Sequence, residues 1–196
     1  SAIFFPRTIL PLNIFENRYI QLVNDCMKEN RMFGMVQPKS KKGASPELYK
    51  IGCLGKIVSF NETEDKRFII SLSGIIRFRI KEELSANKLY REFKVDYSDF
   101  RDDLGEKKKE EKKYDLRKLL NKIKILFKKK NYFIDWTQLE KLNFDQLVDT
   151  ICMISPFSVG EKQKLIEAIK IEDKLNVLEE IINFNLLDNI EKKTIK

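Results

Sequence analysis

The chain has 196 residues, with 38 Lys or Arg against 30 Asp or Glu, and no histidine. A formal charge of +8 and an apolar share of 42% read as a soluble globular protein of one large or two small domains. The missing histidine removes Ser-His-Asp and Cys-His catalysis, histidine general bases and histidine zinc sites.

Other classes fall away on the same reading. No apolar run approaches the roughly 18 residues of a membrane span. Ser1 to Leu10 carries prolines and an arginine where a signal peptide needs an uninterrupted apolar stretch. Cys26, Cys53 and Cys152 are odd in number, far apart and set among apolar residues. They are expected as buried free thiols of a cytoplasmic protein. The glycines have no phosphate-loop spacing, Gly55-Lys56 is followed by Ile57, and G-x-S-x-G is absent. No catalytic residue, metal site or cofactor is expected.

Phe5 to Tyr19 begins as strand and ends as helix. Pro6 and Pro11 bracket Thr8–Leu10 where ladder donors can be spared. After Glu16, Tyr19, Ile20, Val23, Cys26 and Met27 recur at three- and four-residue steps, which predicts a helix over 17–29. Residues 31–37 read as a strand containing Gly34, and 38–46 as a polar basic loop. Residues 49–60 form a strand that Gly52 and Gly55 bend. Residues 67–72 and 75–80 alternate as two strands separated by Gly74, and 90–97 read as the last strand. These features predict a compact β-barrel with one early helix.

The character changes near Asp102. Residues 106–130 hold twelve Lys or Arg and four Asp or Glu, a net +8 that equals the whole chain's charge. Leu116, Leu119, Leu120, Ile123, Leu126 and Phe127 lie at helical steps, with lysines opposite. Trp136 and Leu139 belong to a short helix or turn. Asn143-x-x-Gln146 and Ser158-x-x-Glu161 read as capping boxes, and Asp173 opens the last helix. Inward positions include Leu165, Ile166, Ile169, Leu175 and Leu178. The class is α+β, with a barrel over 1–100 and an all-helical bundle over 106–196.

FPRTILPLNIFENRY closely resembles the opening of the Lon substrate-binding domain, above all its stand-alone form without ATPase or protease parts. The family pattern places FP at Phe5-Pro6 and LPLxIFExRY at Leu10–Tyr19, including Leu12, Phe15, Glu16, Arg18 and Tyr19. It continues with FG at Phe33-Gly34, strand glycines at Gly52 and Gly55, and G-x-x-RF at Gly74 with Arg77-Phe78. EKQKLIE, residues 161–167, resembles its helical part. Asn17 stands where the family has proline, and the family carries one more hydrophobic strand before FP. The resemblance implies a PUA-like barrel and a non-catalytic module that recognises polypeptide, in bacterial-type, proteolysis-related proteins.

Three sets of side chains are candidates for contact or for structure. Glu16, Arg18 and Arg77 read as a partly buried ion pair tying the strand–helix joint to the G-x-x-RF strand, rather than as a polar site. Phe4, Phe5, Met32, Phe33 and Met35 are the candidate peptide-binding set, because Met and Phe adapt to varied partners, although core packing is the commoner fate of such residues. Lys122, Lys128, Lys129 and Lys130 are the candidate anion-binding set on an otherwise solvated face. The expected partners are unfolded polypeptide segments, their apolar side chains held in a groove rimmed by lysines. RNA binding through the barrel and the basic helix is the alternative, and no membrane partner is expected.

Overall fold

The computed structural model describes residues 3–40, 46–85, 87–105 and 116–194, with Leu116 and residues 188–194 described by backbone alone. It divides into two compact units, residues 1–106 and 107–196. The N-terminal part of the basic run, Glu106–Asp115, lies outside the described residues. No described helix is long and apolar enough to cross a membrane.

The first unit is an antiparallel sheet with one helix. Its strands are β1 (Ile9–Ile14), β2 (Met32–Met35), β3 (Ile51–Glu62), β4 (Phe68–Leu84) and β5 (Glu92–Asp96), and its helix is α1 (Asn17–Lys28). The hydrogen-bonded order is β1-β4-β3-β2, with β5 also on β4. The barrel expected from sequence is not seen. The sheet is open, and β1 and β2 do not pair with each other. Local chemistry explains part of this. The Gly74 N–H donates to Thr8 O, so ladder parity turns Pro11, which has no N–H, to the outer edge of β1. On the other edge, Asn30 Oδ1 accepts the Met32 N–H and the Cys26 thiol donates to Met32 O.

Residues 67–72 and 75–80 are one strand rather than two, because Gly74 marks a close approach and not a break. β4 runs 17 residues without interruption. A Cβ on Gly74 would stand 2.1 Å from Phe5 O, so glycine lets the Phe5-Pro6 segment lie against the strand. The other motif residues interlock in the same way. The Phe78 ring sits over both Gly34 and Gly52, where an added Cβ would meet it at 2.8 Å. Phe4, Phe5, Phe33, Leu72 and Phe78 are buried together in this core.

α1 buries Val23 and Cys26 and leaves Tyr19 at the surface. It is tied to the β4–β5 turn by Leu89 N–H donating to Gln21 Oε1 at 2.9 Å and by the Tyr90 hydroxyl donating to Asp25 at 2.8 Å. After β5, a 3-10 turn over Ser98–Asp103 packs on β4. Residues 98–103 therefore belong with this unit.

The second unit is helical: α2 (Leu116–Lys129), α3 (Trp136–Leu139), α4 (Phe144–Ile154), α5 (Val159–Glu167) and α6 (Ile171–Thr194). Asp135 caps α3, Asn143 caps α4, and Ser158 with Glu161 completes a capping box on α5. α6 packs against α2, α4 and α5, burying Leu175, Leu178, Ile181 and Ile182. Ile169, expected inward, is exposed, because α5 ends at Glu167 and Ile169 lies in the connection to α6. Inside the bundle Lys174 Nζ meets Asp149 Oδ1 at 2.6 Å, both side chains essentially sealed from solvent. Burial pushes the neighbouring Cys152 thiol up to about 12.

The Lys174–Asp149 pair yields a stability prediction. Lys174→Met alone removes the cation facing a buried carboxylate and is expected to cost about 3–5 kcal/mol, whereas Lys174→Met with Asp149→Leu restores most of that loss. Urea denaturation of the two variants reads the difference.

Candidate functional site

Arg77 is the most buried cation among the described residues of the first unit, and the structure pairs it differently from the sequence expectation. Register shifts at Leu54/Gly55, where Ile75 is the extra residue on β4. This carries the Arg77 N–H to the edge that β1 leaves at Ser73 and β5 takes up at Arg79. Asp103 fills the gap. Its Oδ2 accepts from the Arg77 N–H at 3.0 Å and from Nε at 2.9 Å, and its Oδ1 accepts from the guanidinium at 2.9 Å. The Phe100 ring lies under the guanidinium at 4.6 Å, and Arg7 donates to Asp103 O at 3.0 Å. The Arg77 and Asp103 side chains are both buried, and the pair acts as a structural clamp. Glu16 and Arg18 take no part in it. They pair with each other at 2.8 Å on the surface, where Arg18 also covers Tyr19.

The candidate peptide-binding set is divided. Phe4, Phe5 and Phe33 are core residues, while Met32 and Met35 are only half-buried on β2. Of the candidate anion-binding set, Lys122 is held by Glu179 and Asn183 at 2.7 and 3.0 Å, while Lys128, Lys129 and Lys130 are exposed.

A different surface of the first unit gathers exposed apolar side chains. Directly opposed residues of paired strands share a face. The register therefore sets three rows on the outer face of β1, β4 and β3: Ile9, Ser73 and Lys56; Pro11, Ser71 and Ser59; Asn13, Ile69 and Asn61. Ile9 is 54% exposed and Ile69 47%. A bulge between Ile57 and Ser59 adds Val58, 57% exposed, and Phe15 follows the end of β1 at 62%. Between Lys56 at one border and Arg67 at the other, these rows carry no charge, in a chain that is 35% charged. Arg67 is paired with Asp65 at 2.7 Å, whose carboxyl is held below its ordinary value first by the Thr63 hydroxyl. Sequence alternation marked residues 67–72 as strand but could not show that three strands pool their outward residues on one face.

The family model described as the "ATP-dependent protease La (LON) substrate-binding domain" matches residues 1–183. The chain belongs to this Lon substrate-binding-domain family. Among curated relatives it is similar to the Lon protease of Anaeromyxobacter dehalogenans, 20% identical over 186 residues that make up 93% of the chain and 22% of that protein. The Lon protease of Malacoplasma penetrans is 28% identical over 195 residues, 94% of the chain and 24% of that protein. The chain thus spans roughly a fifth to a quarter of the length of these Lon proteases. Two solved structures share the fold. A Lon N-terminal domain protein from Xanthomonas campestris superposes with a TM-score of 0.64 at 18% identity, covering 91% of this chain and 92% of that one. The N-terminal domain of Mycobacterium avium complex Lon protease gives 0.63 at 14% identity, covering 93% and 94%.

The clamp and the surface pair should separate cleanly in a stability measurement. Arg77→Ala removes the buried cation that faces Asp103 and is expected to lose about 3–5 kcal/mol. Glu16→Ala, at the exposed pair, is expected to leave urea denaturation unchanged. Equal destabilisation by the two variants would contradict the assignment.

Proposed function

We propose that this chain is a polypeptide-recognition module without catalysis of its own, working in the cytoplasm on a PUA-like frame. The observation that carries the site is the uncharged outer face of β1, β4 and β3, where Ile9, Val58, Ile69 and Phe15 project among Ser, Asn and Pro side chains. Exposed apolar side chains free of charge accept varied apolar segments without demanding a matching charge. Family membership supports polypeptide as the ligand class, since the matched region is a substrate-binding domain rather than an ATPase or protease domain. The absence of histidine supports the non-catalytic reading. The register irregularities between β3 and β4, at Ile75 on β4 and Val58 on β3, support the barrel-like frame.

The mechanism is contact by side chains rather than by strand addition. Pro11 turns its missing donor to the outer edge of β1, which weakens that edge as a template for another strand. A segment lying across the face would cover Ile9, Pro11 and Ile69, and its affinity would come from apolar area removed from water. A shallow surface recovers little beyond the cost of ordering its ligand, so binding is set at roughly micromolar strength.

Titration with labelled unfolded casein tests this reading. Binding should depend weakly on salt and show a negative heat-capacity change. Ile69→Ser should weaken it by about five- to tenfold, the equivalent of roughly one buried apolar side chain, without altering stability. Casein binding that is unchanged in Ile69→Ser and in Ile9→Ser would sink the proposal.

A further inference from the structure

Phe133 is 97% exposed. It does not belong to a frayed segment. α2 closes on a left-handed Asn131, with φ 57°, and the Tyr132 N–H donates back to Phe127 O at 2.9 Å. Tyr132 and Trp136 then both pack edge-on against the buried Phe127, at 6.1 and 5.5 Å between ring centres, and Asp135 caps α3. The turn is thus fixed on either side of Phe133, and the ring it presents to water stabilises nothing in the bundle.

Cations outnumber acids beside it. α2 contains no acidic residue. Lys128 and Lys129 are exposed on its last turn, one turn beyond the exposed Ile125, and their ammonium groups have no partner among the described residues. Nearby acids are engaged elsewhere: Asp135 accepts from the Thr137 N–H and hydroxyl, and Glu140 pairs with Lys124. The helix dipole favours lysines at this end, which accounts for the charge and not for an exposed phenylalanine.

We infer that the turn after α2 docks single-stranded nucleic acid, with Lys128 and Lys129 taking backbone phosphates and Phe133 stacking on a base. Unpaired ammonium groups neutralise phosphates as point charges. An aromatic ring beside them stacks on any base, which makes the site tolerant of sequence. A lipid surface fits less well. Interfacial binding grows with the apolar area inserted, and here the exposed apolar side chains beside the lysines are Ile125, Phe133 and Tyr132, with Ile134 and Trp136 half-buried and Ile123, Leu126 and Phe127 facing the core.

Fluorescence anisotropy on the full chain tests the site, using labelled oligouridine and oligothymidine of about 12 nucleotides, within the size range of single-strand sites. Binding is expected at about 50 mM salt, and should fall roughly tenfold or more by about 200 mM. Phe133→Ala should weaken it at least about fivefold with the salt slope unchanged. Lys128→Gln with Lys129→Gln should lower the slope by about 1.4, at roughly 0.7 per phosphate on a single strand. All three positions are exposed, and unchanged thermal melting of each variant confirms that folding is not the cause. No binding at low salt, binding indifferent to Phe133→Ala, or vesicles of anionic phospholipid captured through the same residues while oligonucleotides are not, would each overturn the inference.

Discussion

The stretch of β4 between its two edge partners depends on one carboxylate. β1 covers the strand as far as Ser73 and β5 begins at Arg79. Asp103 supplies the missing acceptor for the Arg77 N–H and neutralises the guanidinium in the same contact. A buried backbone donor without a partner, beside a buried cation without a counter-ion, would cost more than the local packing recovers. The 3-10 turn after β5 is thereby part of the sheet's construction. It brings Phe100 beneath Arg77 and Asp103 into the gap, and the first unit is complete only when residues 98–103 are in place.

That clamp separates the parts of the molecule that build the frame from the parts free to act. The residues that make the family signature recognisable are largely frame: Phe78 over Gly34 and Gly52, Phe5 against Gly74, Arg77 with Asp103. They are fixed by close approach and by charge balance, and they leave the outer sheet face unconstrained. Exposed positions such as Ile9, Val58 and Ile69 carry no comparable structural duty, so their apolar character calls for another account. Contact with polypeptide supplies one. The helical unit shows the same division, with Lys174 and Asp149 sealed inside and Phe133 held outside.

Much of this was legible in the sequence, and the misses have physical causes. Strand alternation and helical spacing located the elements, and the capping residues Asn143 and Ser158 marked two helix starts. Gly74 was misread because a glycine that breaks a strand and one that admits a neighbouring backbone look the same until the neighbour, Phe5, is placed. Arg77 was rightly taken as buried in an ion pair but was matched to Glu16, a motif neighbour in sequence, rather than to Asp103. The run Asp99, Phe100, Asp102, Asp103 held the clue, since it offers carboxylates and a ring to a buried arginine, yet it reads as linker. The peptide-binding set drew on Phe4 and Phe5 because residue type alone cannot separate an adaptable surface from a core. Phe133 was not legible as exposed, because an aromatic between Tyr132 and Trp136 looks like a core residue until Phe127 is seen to take both of those neighbours.

The central claim is that polypeptide meets the uncharged face of β1, β4 and β3 while the Arg77–Asp103 clamp stays untouched. Backbone amide chemical-shift mapping of the isotope-labelled chain, titrated with unfolded casein, tests it most directly. The account predicts perturbations clustered at Ile9, Asn13, Val58, Ile69 and Ser71, with the amides of Arg77 and Asp103 unmoved. Perturbations confined to the β2 edge or to the helical unit, with that face silent, would contradict it.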